Sequence, residues 1–88
     1  MKTFKDLEFK NEPYFTVEER RLDAAQMDFD NGYGISVITD GFSNDSHPYE
    51  VAVLLDGEIC YDTHITDDVI GYLDEDGVTL IMKQIQEL

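Results

Sequence analysis

Three side chains that could bind a metal ion or perform nucleophilic chemistry alternate near the middle of the sequence: Cys60, Asp62 and His64. Thiolate, carboxylate and imidazole groups are all zinc ligands, and a thiol beside an imidazole can act as a nucleophile. On a strand, however, the three residues would span about 13 Å, because alternate residues lie roughly 6.8 Å apart. They could not meet at one ion or in one catalytic pair without a bulge. The pattern therefore favours structural roles for these residues.

Two short acidic segments resemble parts of a calcium-binding loop: residues 28–32 (DFDNG) and residues 74–77 (DEDG). Neither completes the pattern, because that loop needs a glycine at its sixth position and a carboxylate at its twelfth. Weak cation binding by clustered carboxylates is an alternative that these segments leave open. We predict a non-enzymatic protein with no catalytic residue, no metal site and no cofactor.

The charge balance is the most unusual property of the sequence. Twenty acidic residues face six basic ones, which gives a formal net charge of -14. Five basic and five acidic residues balance within the first 21 positions, so all 14 net negative charges belong to residues 22–88. The resulting field would repel DNA, RNA and an anionic membrane, so we expect none of them as a direct ligand. It favours a basic partner, a cation, or solubility alone.

Length and composition predict one domain. A chain of 88 residues, 42% of them hydrophobic, can bury one core, so we expect a single domain over residues 1–88. The single cysteine excludes an internal disulfide and favours a reducing compartment. No run of residues approaches the roughly 20 apolar residues of a membrane span, and the first residues lack the apolar stretch of a signal peptide. These features predict a cytoplasmic protein.

Alternating apolar residues and turn-forming pairs predict an antiparallel sheet of four to five strands. The strands are expected over residues 3–10, 25–30, 33–39, 49–55 and 58–63. A two-residue hairpin turn of type I′ is predicted at Asn31-Gly32, and a second two-residue hairpin turn at Asp56-Gly57. The segment 11–15, which contains a proline, reads as a connection.

Helical signals lie mostly at the end of the chain. A short helical turn is possible at residues 16–22, where a threonine and a glutamate have the spacing of a capping box. One C-terminal helix should begin at Thr66, with two acidic residues in its first turn. A second should begin near Asp74, with its apolar residues on one face. That face comprises Val78, Ile81, Met82, Ile85 and Leu88. The predicted fold class is α+β, with both helices packed on one face of the sheet and residues 49–55 as a central strand.

Carboxylates are distributed along these predicted elements. Asp28 and Asp30 alternate on one strand, where they would lie about 6.8 Å apart, a separation of the same order as that between neighbouring charges of a nucleic-acid backbone. Such a surface could occupy a groove built for phosphates, with nearby tyrosines (Tyr33, Tyr61 or Tyr72) as anchors. The predicted partner-binding residues are Asp28, Asp30, Asp56, Glu58, Asp67, Asp68, Asp74, Glu75, Asp76 and Tyr72.

Three segments carry a resemblance to known proteins: residues 31–37 (NGYGISV), 49–54 (YEVAVL) and 60–73 (CYDTHITDDVIGYL). Over roughly residues 25–88 the chain resembles small acidic proteins encoded by bacteriophages and prophages, a group with no assigned catalytic motif to carry over. The resemblance implies a context, the cytoplasm of a host bacterial cell. Small acidic phage proteins include anti-CRISPR and other anti-defence inhibitors, to which this chain is similar in size and charge.

Two function hypotheses follow. The first is a phage-type inhibitor, of the anti-CRISPR or another anti-defence type, that blocks a basic nucleic-acid-binding host protein, with DNA mimicry as its suggested means. The second is a small homodimeric interaction or structural module of a phage, whose acidity serves solubility. A metal-dependent enzyme is a third and less favoured class.

Overall fold

The computed structural model describes residues 1–17, 20–39, 43–66 and 68–88, with only the backbone described for residues 11–17 and 20–22. Within these residues, six strands form one antiparallel sheet. They are β1 (Lys10–Val17), β2 (Arg20–Asp28), β3 (Tyr33–Thr39), β4 (Tyr49–Leu55), β5 (Glu58–Ile59) and β6 (Ile70–Leu73). A 3-10 helix at Phe4–Asp6 precedes the sheet, and helix α1 (Glu75–Gln86) follows it. The architecture is α+β, with one C-terminal helix.

The strands follow the order β1-β2-β3-β4-β5, and β6 also pairs with β4. Strand β3 pairs with β4 along its whole length, from Tyr49 to Leu55. Strands β5 and β6 must therefore share the other side of β4, where β5 lies opposite the last two residues of β4 and β6 opposite its first three. The central position predicted for residues 49–55 is confirmed, as are the bounds of β3 and β4.

Helix α1 and the sheet bury the core between them. Val78, Met82 and Ile85 are fully buried against apolar residues of β3 and β4, such as Ile35 and Val53. Each buried side chain of this size contributes about 1.5–3 kcal/mol, so the helix is held mainly by this face. The apolar face predicted for the last helix is thus confirmed, and its final member, half-buried, also contacts the core.

The strand predicted over residues 3–10 is wrong, because the chain forms a 3-10 helix there and enters β1 only at Lys10. The backbone N–H of Thr3 donates to the Asp6 carboxylate at 2.9 Å, which closes this turn. The backbone N–H of Phe4 donates to Oγ1 of Thr79 on α1 at 3.1 Å, and the Phe4 ring contacts two other aromatic rings. Contacts with the helix therefore decide the structure of this segment.

The connection expected at residues 11–15 is also wrong, since these residues belong to β1. Pro13 is tolerated because β1 lies at the edge of the sheet, where a missing backbone N–H removes no essential hydrogen bond. The helical turn expected at residues 16–22 gives way to the end of β1 and the start of β2. Glu18 and Glu19, within that turn, lie outside the described residues.

One of the two predicted hairpin turns is confirmed. Asp56 and Gly57 have φ values of 52° and 85°, as a type I′ turn between β4 and β5 requires. At Asn31-Gly32, only Gly32 has a positive φ, and the loop has three residues, closed by the backbone N–H of Phe29 donating to the Tyr33 carbonyl. The Asn31 amide donates to the Ile85 carbonyl at 2.9 Å, so a contact with α1 accompanies this different turn.

The helix predicted to begin at Thr66 is wrong. The backbone N–H of Asp68 donates to Oγ1 of Thr66, and the backbone N–H of Val69 donates to the Asp68 carboxylate, so local side-chain bonds form a turn instead. The chain then enters β6, while Asp67 lies outside the described residues. The strand expected over residues 58–63 ends at Ile59, and β6 occupies the remaining side of β4.

Candidate functional site

Four of the predicted partner-binding carboxylates gather at one end of the sheet. Asp28 is the last residue of β2, and Asp30 lies in the following turn, so the expectation that they alternate on one strand is wrong. The backbone N–H of Asp56 donates to the Gly32 carbonyl at 3.1 Å, which places the two hairpin turns side by side. Glu58 begins β5 directly after the second turn. We call this group the turn end.

Three further predicted carboxylates lie where α1 begins. Asp74 caps the helix, and its Oδ1 accepts a hydrogen bond of 2.7 Å from the backbone N–H of Gly77. A Cβ atom at Gly77 would lie 3.0 Å from a Leu73 side-chain carbon, a tight contact that the leucine side chain would have to relieve by shifting. Glu75 and Asp76 follow in the first turn, where the helix dipole favours negative charge. The predicted helix start near Asp74 is therefore confirmed.

Tyr49 reports the electrostatic environment at this end of the sheet. Its burial raises the pKa of the phenol, and the nearby carboxylates of Glu75 and Asp23 raise it further. Both effects disfavour the phenolate, the first through lost hydration and the second through repulsion between like charges. The hydroxyl is thus held in its neutral form beside a negatively charged helix start.

The turn end and the helix start lie on opposite sides of the molecule. Strand β4 runs from one to the other over seven residues, which corresponds to about 20 Å. Helix α1 covers a similar length of about 18 Å. The predicted binding residues therefore do not form one compact patch.

One segment connects the two ends along the side of β4 that faces away from β3. It consists of residues 56–76, and we call it the acidic edge. It contains eight acidic residues and neither lysine nor arginine. Seven of the eight are described and exposed, and Asp67 lies outside the described residues. The seven are Asp56, Glu58, Asp62, Asp68, Asp74, Glu75 and Asp76.

The charges of the acidic edge are not neutralised by basic side chains in the described part of the chain. None of the seven carboxylates forms an ion pair there, although Asp68 and Asp74 accept backbone hydrogen bonds. Seven charges along about 20 Å correspond to roughly one per 3 Å, close to the 3.4 Å per phosphate of one DNA strand. Averaged over its length, the edge thus has a negative charge density comparable with that of one nucleic-acid strand.

Large side chains are exposed on the same edge. Ile59, Tyr61 and Tyr72 are 51%, 49% and 57% exposed. Tyr33, the other tyrosine proposed as an anchor, is half-buried and packs against the core. Ile59 and Asp62 were not among the predicted binding residues. A signal for both was their position shortly after the Asp56-Gly57 turn, within the strand predicted over residues 58–63.

Tyr72 lies in a bulge of β6. The pairs Tyr49 with Leu73 and Val51 with Ile70 leave two residues, Gly71 and Tyr72, opposite one residue of β4. Tyr72 has a φ of 55°, a left-handed conformation that costs a residue with a Cβ about 1–2 kcal/mol. The fold thus holds a large aromatic side chain in an unfavourable backbone conformation at an exposed edge.

The three residues considered as metal ligands or a nucleophilic pair lie within the acidic edge but not on a strand. Cys60, Asp62 and His64 fall in the connection between β5 and β6, so their expected alternation on one strand is wrong. The Cys60 backbone N–H donates to the Val53 carbonyl at 2.8 Å, and its side chain is half-buried. No group of three or more ligand residues that could hold a metal ion occurs in the described ranges. Those ranges also contain no helix with the length and hydropathy needed to span a membrane.

Comparisons with protein-family models, with curated proteins and with solved structures gave no match to this chain. The geometry and charge of the acidic edge are therefore the features of this chain that bear on its function.

Proposed function

We propose that this protein is a non-enzymatic binding protein that uses its acidic edge to block a basic nucleic-acid-binding protein in a bacterial host cell, as a phage-type inhibitor of the anti-CRISPR or another anti-defence type. The observation that carries the proposal is the row of seven exposed carboxylates between Asp56 and Asp76, none of which forms an ion pair with another described residue. In this role the edge occupies the groove that the partner uses for phosphates.

Charge density and exposure support this mode of binding. A groove that binds nucleic acid is lined with lysine and arginine, and each of these can pair with a carboxylate in place of a phosphate. Attraction between the two surfaces also accelerates their encounter, and this effect weakens as salt screens the charges. Binding should therefore be strong at low ionic strength and should compete directly with DNA.

The proposal can be tested by capture from a bacterial lysate. The immobilised chain is expected to retain a basic protein at low salt and to release it when duplex DNA is added. The variant Glu58→Gln/Asp62→Asn removes two charges from the acidic edge, and Glu8→Gln/Glu87→Gln removes two exposed charges elsewhere. We expect the edge variant to lose most of the captured protein and the control variant to retain it.

Three outcomes would contradict the proposal. If DNA fails to displace the captured protein, or if no basic protein is retained, the chain does not mimic nucleic acid. If both variants lose capture equally, net charge rather than the acidic edge is responsible.

A homodimeric interaction module is the second candidate, and the exposed Ile59 on edge strand β5 favours it. Two copies joined by this edge would bring their carboxylates together, so added salt should strengthen the dimer. Binding of a basic partner should instead weaken with salt. Sedimentation at several NaCl concentrations, with and without a captured partner, therefore distinguishes the two candidates.

A further inference from the structure

We propose that Tyr61 and Tyr72 make the acidic edge select partners that present arginine rather than lysine. This inference rests on the proposed function and specifies the chemistry of the partner surface. It is drawn from the exposed aromatic rings, and the surrounding carboxylates require a positively charged partner surface.

The two tyrosines lie close together along the edge. Tyr61 follows Cys60, whose backbone N–H is bonded to Val53 of β4, while Tyr72 lies in the bulge opposite Glu50. Three residues of β4 separate these points, which corresponds to about 10 Å. Both rings are about half exposed; the exposed Asp62 directly follows Tyr61 in the chain, and the exposed Asp74 lies two residues after Tyr72. Exposed aromatic rings and exposed carboxylates thus alternate along the acidic edge.

Arginine suits this combination better than lysine does. Its planar guanidinium can stack on an aromatic ring while its N–H groups donate to a carboxylate, whereas the strongly hydrated lysine ammonium acts mainly as a point charge. Carboxylates alone would attract both cations. The exposed tyrosines therefore add a preference that charge does not provide.

The shape of the edge also restricts how the partner binds. A partner strand could extend the sheet only along a continuous row of free backbone groups. The connection between β5 and β6 and the bulge at Tyr72 interrupt that row. The partner must therefore bind through side chains, from a helix or loop that presents its arginines.

The experiment compares an oligoarginine and an oligolysine peptide of equal length, titrated against the full chain at low salt. We expect tighter binding of oligoarginine, by about two- to fivefold for each tyrosine engaged. Tyr61→Ala/Tyr72→Ala should abolish this preference, because it should weaken oligoarginine binding more than oligolysine binding. Tyr61→Phe/Tyr72→Phe, which keeps the rings, should retain it. Leu80→Ala is the control, because it truncates a side chain that is 57% exposed on α1, away from the edge.

The results separate this inference from the proposed function. Equal affinity of the unmodified chain for both peptides would overturn the inference, as would a preference that survives the double alanine variant. The proposed function stands in either case if Glu58→Gln/Asp62→Asn weakens binding of both peptides. Absence of binding to either peptide would overturn the proposed function itself. Circular dichroism of each variant checks that a lost preference is not lost folding.

Discussion

Because the backbone at Tyr72 is left-handed, we predict that a glycine variant at this position is more stable than an alanine variant, the reverse of the usual order of stability. Tyr72→Ala and Tyr72→Gly both remove the ring and its contacts, so their difference in stability reports mainly on the backbone. At a φ of 55°, a Cβ atom costs about 1–2 kcal/mol. Glycine loses about 0.5–1 kcal/mol more than alanine in conformational entropy on folding. Tyr72→Gly should therefore be more stable than Tyr72→Ala by about 0.5–1 kcal/mol.

Tyr61 provides the matched control. It is exposed to a similar extent on the same edge, and the residues other than glycine with a positive φ in the described chain are Asp56 and Tyr72. At Tyr61 only the entropy difference applies, so Tyr61→Gly should be less stable than Tyr61→Ala by about 0.5–1 kcal/mol. The difference in stability between the glycine and alanine variants should thus have opposite signs at the two positions, and the two differences should lie about 1–2 kcal/mol apart.

Urea unfolding followed by circular dichroism measures these differences. In thermal unfolding, a stability difference of 1 kcal/mol shifts the Tm by roughly 4–8 °C for a domain of this size, so the reversed order of the variants can be measured. If glycine is less stable than alanine at both positions, residue 72 does not adopt the left-handed conformation in solution. The bulge that exposes Tyr72 at the edge would then be refuted, together with the positioning of this ring for a partner.

Three further predictions concern the core, a phenol and the net charge. Ile85→Ala should lower the free energy of unfolding by about 2–5 kcal/mol, whereas Leu80→Ala, on the exposed side of the same helix, should change it by less than about 0.5 kcal/mol in urea unfolding. Burial and then the carboxylates of Glu75 and Asp23 raise the pKa of Tyr49, so its stabilising contribution is complete below about pH 10 and is lost as the pH rises through the folded-state pKa. Tyr49→Phe should reduce this alkaline loss of stability and remove one phenolate transition from an ultraviolet titration. Raising NaCl from low to moderate concentration should raise the urea midpoint, because it screens repulsion among carboxylates, and a falling midpoint would show that they are favourably paired.

The centre of the fold could be predicted from the sequence because several local signals agree there. Strands β3 and β4 have unambiguous apolar patterns, and the Asp56-Gly57 pair both permits and requires a tight turn. The face of α1 that includes Val78 and Met82 has the helical period over three turns. In each case residues near one another in sequence contain the information that determines the structure.

The periphery could not be predicted in this way, because edge pairing depends on which backbone groups a distant strand leaves free. Residues 70–73 carry apolar residues that also suit a helix, and they form β6 because β5 leaves half of β4 without a partner. Pro13 argued against a strand, but its strand lies at an edge. Asn31-Gly32 has the composition of a type I′ turn, yet Asn31 also bonds to α1, a contact that no local pattern contains.

For the candidate site, too, the composition could be predicted from the sequence, but the placement of its residues could not. Eight of the ten predicted binding residues fall within residues 56–76, and seven of these are acidic, so the acidity of the segment was visible in the sequence, although Asp67 lies outside the described residues. That β5 and β6 place this segment along one side of β4 depends on the tertiary fold. The positive φ of Tyr72 was equally hidden, because a tyrosine is not expected in that conformation.

Acidic residues at a free sheet edge have another physical explanation, which is protection against pairing with other chains. A few charges suffice for that purpose, whereas the acidic edge has eight in 21 residues and also exposes Ile59, Tyr61 and Tyr72, which oppose it. The two explanations predict different consequences for Glu58→Gln/Asp62→Asn. If the charges only protect the edge, this variant should self-associate while the captured partner is unchanged. If they form the binding surface, capture should fall while the variant stays in the same oligomeric state as the unmodified chain. Measuring mass in solution and capture on one preparation therefore decides whether this line of charge repels copies of the chain or attracts a partner.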